Sequence, residues 1–225
     1  MPEGFHPPLE EYLETMYSLA EEHVPIIQAR LVERLGHSPQ AVSEMIHRLS
    51  DEGYVSRSGR GLGLTEKGHA RAERVVRKHR LAERFLVDVV GLPWHEAHFE
   101  AGRWEHVISD EVEARFVAIL HDPGTCPHGN PIPGARREPV PEKPLTQVAE
   151  GAPITLARIT EFVEFDREAL VYLSDHGLVP GRHATIRSCA PDGTLTLELD
   201  ETDASRPRTV AIGPALACQL FVTTT

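Results

Sequence analysis

The sequence lacks several features that define other classes of protein. Its 225 residues contain no apolar run of membrane-spanning length, and the first residues show neither a basic leader nor an apolar signal core. Only three cysteines occur, without paired spacing, so we expect no disulfide framework. No HExxH or comparable hydrolytic motif is present. We therefore expect a cytoplasmic protein that does not associate with membranes.

Basic residues are fewer than acidic ones, and residues 27–80 are the region in which they are in excess. The net charge is −11, and residues 1–26 hold six acidic residues and no basic one. Residues 27–80, in contrast, carry 11 Lys and Arg against six Asp and Glu, a net of +5. Because phosphate contacts act over a short, screened range, a local basic surface on an acidic chain is compatible with DNA binding.

The first 65 residues predict two short helices, a tight turn and a small hairpin, preceded by an amphipathic helix over residues 8–22. After a short helix near Ile27–Leu35, Ser38-Pro39 has the chemistry of a helix start, and Gly53 ends the helix that follows. Residues 54–57 and 62–65 then predict two strands around the tip 58–61. This order is typical of a winged helix-turn-helix.

In that motif the start of the second helix faces base edges in the major groove. The residues at this position are Ser38, Pro39, Gln40, Ser43 and Glu44. Gln40 offers an amide that can make paired hydrogen bonds to adenine. Arg48, Arg57, Arg60 and Lys67 are placed to meet phosphates. These basic residues are also compatible with an ordinary solvated face, and winged helices can mediate protein contacts instead.

The rest of the chain predicts a helical region and then a small β domain. One long helix is expected from Glu66 to about Val90, and a second from residue 94 to about Leu120. Residues 122–152 contain seven prolines and four glycines, which predicts a linker. Short alternating runs follow, with one helical turn near Asp166–Ser174, and favour a barrel of the SH3 type. The expected fold is mainly α with a small β domain. We expect three domains: a winged helix over residues 1–75, a helical domain over 76–140, and an SH3-like domain over 150–225.

Histidines and carboxylates recur at helical spacing. His79 and Glu83 are four residues apart on the first long helix, so both project from one face. On the second helix the residues on one face are His98, Gly102, Glu105 and His106. Glu11 on the first helix, with Cys126 and His128 in the linker, can add further ligands. Mixed nitrogen and oxygen donors suit first-row divalent metals, although a single His–Glu pair at this spacing is more often a surface hydrogen bond than a pair of ligands.

Three long motifs resemble the diphtheria toxin repressor family of metal-dependent repressors. They are RKHRLAERFLVDVVGL, RWEHVISDEVE and GNPIPG, and the similarity extends over residues 9–134. It continues more weakly into the barrel, where ARITEF and GLVPG fit. The resemblance implies a homodimer with an N-terminal winged helix, a helical dimerisation and metal domain, and an SH3-like domain.

The resemblance also implies roles for individual residues. His79, Glu83 and His98 match an ancillary metal site, and Glu105 and His106 match the primary site. Cys126, His128 and, by a less direct alignment, Asp166 match second-site ligands of the manganese-responsive branch. Two alternatives to Asp166 stay open: Glu164, or no ligand from the C-terminal domain. Glu14, one turn after Glu11, matches a further acidic ligand in some manganese sensors.

Two departures from the family pattern bear on the choice of metal. At Glu11 the iron-responsive members carry Met and the manganese-responsive members an acid. At Gly102 the iron branch carries Cys and the manganese branch usually an acid, so a glycine fits neither and offers only its carbonyl. Removing sulfur makes the site harder, which favours Mn²⁺ over Fe²⁺.

The function expected from the resemblance is repression of metal-uptake genes by linkage. Metal joins helix 1, through Glu11, to the dimerisation helices through Glu105 and His106, and so raises operator affinity. Glu11→Ala is then expected to abolish the metal dependence. Two alternatives stay open: a winged-helix regulator that responds to an organic ligand, and a metallohydrolase, for which a general base and a cleft are also required.

Overall fold

The computed structural model describes residues 8–138, 140–200 and 209–224. It confirms a mainly helical chain with a small β domain at the carboxyl end. In chain order the helices and strands are α1 (Pro8–Glu21), α2 (Gln28–Leu35), α3 (Pro39–Asp51), β1 (Val55–Ser58), β2 (Gly61–Leu64), α4 (Glu66–Phe85), α5 (Ala97–Trp104), α6 (Asp110–Ile119), β3 (Lys143–Pro144), β4 (Pro153–Ile159), α7 (Glu161–Glu164), α8 (Arg167–Asp175), β5 (His183–Cys189), β6 (Leu195–Leu199), β7 (Thr209–Ile212), α9 (Pro214–Ala217) and β8 (Leu220–Thr224). The predicted domain boundaries stay a prediction.

The N-terminal part is a winged helix-turn-helix, as the sequence predicts. Ser38 caps α3 by accepting a hydrogen bond from the Ala41 amide, and Pro39 occupies the first turn. Strands β1 and β2 pair antiparallel, and Ile27 makes an additional bridge to Gly61. The apolar faces of α1, α2 and α3 bury one core, which includes Tyr12, Leu13, Met16, Leu19, Leu31, Val42, Ile46 and Leu49.

The long helix has the predicted extent, but its last turn differs in geometry. Helix α4 continues from Phe85 into a π-helical turn over Leu86–Val90, and Gly91, in the left-handed conformation, ends it. Thr65 caps the start of α4 by accepting a hydrogen bond from the Gly68 amide. The middle of α4 is buried, and the helix packs against α1, α5 and α6 and contacts Glu161 of α7 through Arg80.

The second long helix of the sequence prediction is interrupted. A short 3₁₀ turn over Trp94–Glu96 leads into α5, which ends at Trp104, and α6 begins only at Asp110. Ser109 starts α6 by accepting a hydrogen bond from the Val112 amide, and three acids lie in the first turn, where they complement the helix dipole. The segment between the two helices consists of residues 105–109. It includes Glu105 and His106, two of the predicted metal ligands.

Residues 122–152 are not the plain linker that the sequence predicts. Cys126, His128 and Asn130 are buried, and a 3₁₀ turn over Leu145–Gln147 follows β3. At Gly129, whose φ is +90°, a Cβ atom would lie 2.1 Å from the carbonyl oxygen of Ala157 in β4. Only glycine allows this approach, and it lets the segment pack directly on the C-terminal domain.

The C-terminal domain is one antiparallel six-stranded sheet in the order β3-β8-β4-β5-β6-β7. Its core includes Leu156, Ile159, Leu170, Ile186, Leu197 and Val222. This agrees with the expected small β domain, and α8 is the predicted helical turn. Helix α7, directly after β4, was not predicted. Among the described residues, none of the helices is both long and apolar enough to span a bilayer.

Candidate metal centre

His79 on α4 lies where two groups of acidic and histidine side chains meet. Its Nδ1 is 2.5 Å from Glu105 Oε2, and its Nε2 is 3.1 Å from Glu83 Oε1 and 3.0 Å from His98 Nδ1. His79 and Glu83 share one face of α4, as the spacing predicts, and α5 packs against that helix. The inner cluster consists of His79, Glu83, His98, Cys126, His128 and Glu164; the outer cluster consists of His79, Glu10, Glu14, Glu105 and His106.

The inner cluster is removed from solvent and compact. Glu83 and His128 have no exposed surface. The Nδ1 atoms of His128 and His98 each lie 3.0–3.2 Å from carboxylate oxygens of both Glu83 and Glu164. One ligand atom each from His79, Glu83, His98 and Glu164 fall within 4.8 Å of one another, and so do ligand atoms of Glu83, Cys126 and His128. Nitrogen and oxygen donors at this density are typical of a divalent metal site.

Neighbouring groups orient these side chains. The Nε2–H of His128 donates to the carbonyl oxygen of Trp94 at 3.2 Å, since a carbonyl can only accept. In the neutral ring this leaves the lone pair on Nδ1, which is the atom that faces the carboxylates. The Asn130 amide donates to Glu164 Oε1 at 2.6 Å. Both contacts are of the kind that fixes the tautomer and direction of a metal ligand.

The electrostatics of the inner cluster also fit a cation. Burial alone favours the neutral ring of His128, but the negative charges of Glu164 and Glu83 outweigh it and raise its pKa well above the ordinary value. Burial likewise opposes the charge on Glu83, yet His128 and His79 lower the pKa of that carboxyl. Glu83 Oε2 is buried and has no hydrogen-bond partner within the part of the chain that the structure describes. A bound divalent ion would replace the protons and satisfy this oxygen.

The outer cluster joins α1 to the end of α5. His106 Nδ1 lies 2.6 Å from Glu10 Oε2, and its Nε2 lies 3.0 Å from Glu105 Oε1. Glu14, one turn after Glu10, has a carboxylate oxygen within 4.8 Å of ligand atoms of His79 and Glu105. Burial and the negative charges of Glu105 and Glu161 raise the pKa of Glu14 well above its usual value. A divalent cation would relieve this crowding, and every donor atom in the cluster is nitrogen or oxygen.

Two residues predicted for the primary site lie differently. Glu10 and Glu14, four residues apart on α1, share the face that meets Glu105 and His106. Glu11 lies between them, and its backbone carbonyl accepts a hydrogen bond from the Thr15 hydroxyl. A Cβ added at Gly102 would meet no atom within 4 Å, so this position leaves open space. The same i, i+4 spacing that indicated His79 and Glu83 would have found Glu10 and Glu14.

The C-terminal domain contributes Glu164 rather than Asp166 to the inner cluster. Asp166 is exposed and caps α8, accepting a hydrogen bond from the Ala169 amide at 3.1 Å. Glu164 is buried at the end of α7, where His98, His128 and Asn130 surround it. The sequence alone left these two acids as alternatives because α7 was not predicted.

The predicted DNA-reading residues lie on one exposed region of the winged helix. Ser38, Pro39 and Gln40 at the start of α3 are exposed, and Ser43 is half-buried. The Gln40 amide donates to Glu44 at 3.1 Å, so Glu44 holds that side chain in the absence of DNA. Sequence reasoning missed Gln28, whose amide donates to the Pro39 carbonyl at 2.9 Å and so ties α2 to the start of α3.

The basic residues predicted to meet phosphates, in α3, the hairpin and the start of α4, differ in the contacts of their side chains. Arg57 in β1 and Arg60 at the tip are exposed. Arg48 forms an exposed ion pair with Glu52 at 2.7 Å. Lys67 donates to the Glu52 carbonyl at 2.8 Å and lies 4.0 Å from the Tyr54 ring centroid, which makes it part of the local fold.

Comparison with known proteins decides the family. Residues 5–61 match the family described as "Iron dependent repressor, N-terminal DNA binding domain", residues 65–134 match "Iron dependent repressor, metal binding and dimerisation domain", and residues 143–224 match "FeoA domain". The chain is 44% identical over 200 residues to the iron-dependent repressor IdeR of Mycobacterium tuberculosis, covering 84% of this chain and 86% of that one. The chain belongs to the diphtheria toxin repressor family.

Other members are similar over almost the whole chain. The diphtheria toxin repressor of Corynebacterium diphtheriae is 39% identical over 204 residues, which cover 86% of this chain and 89% of that protein. A manganese-dependent transcriptional repressor solved with manganese superposes with a TM-score of 0.86 at 31% identity, covering 96% of this chain and all of that one.

Membership confirms the predicted class of function. The protein is a metal-dependent, DNA-binding transcriptional repressor and not an enzyme, and it binds operator DNA as a dimer. Its helical domain exposes apolar side chains at Val89, Val90, Val107, Val112 and Ile119. Such residues are typical of a surface that a second subunit covers.

Proposed function

We propose that this repressor responds to Mn²⁺ and controls metal-uptake genes in the cytoplasm, where the chromosome lies. The observation that supports this proposal is the set of donor atoms in the outer cluster. They are oxygen and nitrogen, without sulfur, and come from Glu10, Glu14, His79, Glu105 and His106. Hard donors suit Mn²⁺ better than soft ones do. The names of the relatives mention both iron and manganese, so the proposal rests on the donor atoms.

Two groups of residues would hold metal. We propose that the outer cluster is the primary centre and that the inner cluster, with Cys126 and Glu164, is the second. Gly102 offers at most its carbonyl, and Glu11, between the two acids that meet the cluster, stays a candidate from the sequence. A bound divalent cation supplies concentrated positive charge at a fixed position, which neutralises the crowded carboxylates.

The chain's own residues then transmit the signal. Glu10 and Glu14 belong to α1, the first helix of the DNA-binding domain, whereas Glu105 and His106 follow α5 of the dimerisation domain. Neutralising their repulsion keeps α1 against α5 and limits the positions available to α3. Metal can raise operator affinity only as far as it prefers this arrangement, and DNA must raise metal affinity by the same factor.

Operator binding titrated with each metal tests the choice of ion. We expect Mn²⁺ to give full operator binding and anaerobic Fe²⁺ to give less at the same free concentration, with metal content measured on the same samples. A given site generally binds Fe²⁺ more tightly than Mn²⁺, so the measure is the operator response rather than metal affinity alone. Full activation by Fe²⁺ together with no response to Mn²⁺ would contradict the proposal.

We further propose that α3 reads bases through Ser38, Pro39, Gln40 and Ser43, and that Arg48, Arg57 and Arg60 meet phosphates. Gln40→Ala should cost about 1–3 kcal/mol and relax specificity at one base pair. Arg57→Ala should weaken binding to all sequences alike and reduce the salt slope by about one. Equal losses of specificity in both variants would argue against this division of roles.

A further inference from the structure

Helix α7 connects the inner cluster to the DNA-binding domain. It has only four residues, yet adjacent side chains contact three different parts of the protein. Building on the proposed metal site at the inner cluster, we propose that Glu161 and Phe162 are positioning residues through which that site orients the DNA-binding domain. This route differs from the direct contact of α1 with Glu105 and His106, although the negative charge of Glu161 also acts on Glu14.

The first contact reaches α1. The Ser18 hydroxyl donates to Glu161 Oε2 at 2.7 Å, and both residues are buried. The same oxygen lies 3.4 Å from Arg80 Nη2 on α4. Arg80 in turn makes two hydrogen bonds to Glu21, at 3.0 and 2.6 Å, at the end of α1. Because the charges are buried and paired, displacing Glu161 would leave Arg80 and Ser18 incompletely satisfied.

The second contact reaches α2, the first helix of the helix-turn-helix. The Arg34 guanidinium carbon lies 4.4 Å from the centroid of the Phe162 ring, a cation–π geometry. Arg34 is fixed from its other side by an ion pair with Glu22. Phe162 is 41% exposed, so its ring is held in place by this contact more than by burial.

The third contact reaches the inner cluster, since Glu164 lies beside His98 and His128. Glu161 and Glu164 are three residues apart on one turn, so neither can move far without the other. The turn is anchored in the C-terminal domain, because Thr160 donates to the Gln219 side chain at 2.7 Å and Val163 packs in the barrel core. A metal ion that fixes the position of Glu164 would therefore also fix the positions of Glu161 and Phe162.

The test uses the full chain with Glu161→Gln, Phe162→Ala and the double variant. Metal binding is measured by calorimetry, and binding to an operator selected from random DNA is measured by anisotropy with and without Mn²⁺. Glu168→Gln, an exposed carboxyl change in α8, is the matched control, and Phe162→Tyr keeps the ring. Hydrogen exchange of α1 and α2 amides reports directly on the orientation of the DNA-binding domain.

We expect the double variant to bind metal with wild-type stoichiometry and nearly wild-type affinity. Its metal-dependent gain in operator affinity should fall about tenfold, within the usual range of coupling between sites. Metal should protect α1 and α2 amides in the wild type and in the Glu168→Gln and Phe162→Tyr variants, but less in the double variant. Phe162→Ala alone should show part of the effect if Glu161→Gln does not fold.

An unchanged gain in the double variant would overturn this inference while leaving the proposed metal centre intact. Loss of metal binding in Glu161→Gln would overturn it too, because Glu161 would then act on metal binding itself rather than on the orientation of the DNA-binding domain. Absence of any Mn²⁺ effect in the wild type would instead contradict the proposed function itself.

Discussion

The inner and outer clusters share His79 but differ in what surrounds them. The inner cluster is enclosed by α4, by α5, by α7 and by the segment that follows α6. It contains a buried thiol. The outer cluster is formed by α1 and the end of α5 next to α4, contains no sulfur, and includes Glu10, which also pairs with the half-exposed Arg71. One site is built from the assembled body of the protein, and the other connects that body to the DNA-binding domain.

This difference suggests a division of labour. A ligand set that comes from three parts of the chain ties the fold together when it is filled, because binding free energy is then folding free energy. A ligand set that joins two domains across one contact changes their relative position instead. We therefore expect the inner cluster to govern stability first and operator affinity only through α7, and the outer cluster to govern operator affinity directly.

The largest expected effect comes from removing the shared residue. His79→Ala deletes a ligand of both clusters and leaves Glu83 and Glu105 without the imidazole that lowers the pKa of each carboxyl. Breaking buried pairs of this kind costs on the order of 3–5 kcal/mol. We expect loss of most metal binding, of the metal-dependent gain in operator affinity and of several degrees in Tm.

The control for that variant is His69→Ala, on the same helix but exposed. Calorimetric metal titration, thermal unfolding and operator binding should all stay close to wild type in this control. If His79→Ala kept one full metal site and normal operator response, the two clusters would be independent, and His79 would not be shared.

The next largest effect separates the acids of α1. Glu14→Gln should remove most of the metal-dependent gain, a loss on the order of 5- to 150-fold in operator affinity, because Glu14 faces His79 and Glu105. Glu11→Gln should change it much less, in contrast to the expectation from the family pattern. Both variants should keep wild-type Tm without metal to within a few degrees, because each replaces a carboxylate by an amide of nearly the same size.

Operator binding by anisotropy at saturating Mn²⁺ decides between these two acids. A larger loss in Glu11→Gln than in Glu14→Gln would show that α1 turns when metal binds. It would restore Glu11 as the primary ligand.

What the sequence could predict depended on the range of the interactions. Local rules located α3 and its cap, the hairpin, and the pairing of His79 with Glu83, because caps, turns and i, i+4 spacing act within a few residues. The spacing of Cys126 and His128 in the predicted linker made them candidate ligands, and the resemblance to the family assigned them to a second site, although both lie far from α4 along the chain. Periodicity alone could not have placed these two residues beside Glu83.

The missed features depend on tertiary contacts. The break between α5 and α6 is marked by Ser109 followed by acids, but continuous amphipathic spacing obscured it. Helix α7 is too short for periodicity to detect, so Glu164 could not be preferred to Asp166. Glu10 was passed over because its role depends on which face of α1 meets His106.

The smallest expected effect concerns the thiol that distinguishes the inner cluster. Cys126 is buried, and burial together with the negative charge of Glu83 raises its pKa to about 12, so the neutral thiol is the form present without metal. Cys126→Ser replaces sulfur by oxygen at nearly constant size. Because Mn²⁺ prefers hard donors, we expect its affinity to change by only a few fold, whereas the softer Zn²⁺ should lose about tenfold or more. Parallel calorimetric titrations with both ions measure this, with Cys189→Ser, an exposed cysteine in β5, as the matched control. Equal losses for both metals would mean that the thiol contributes through packing rather than through coordination, and the contrast in hardness between the two clusters would then have no consequence for metal choice.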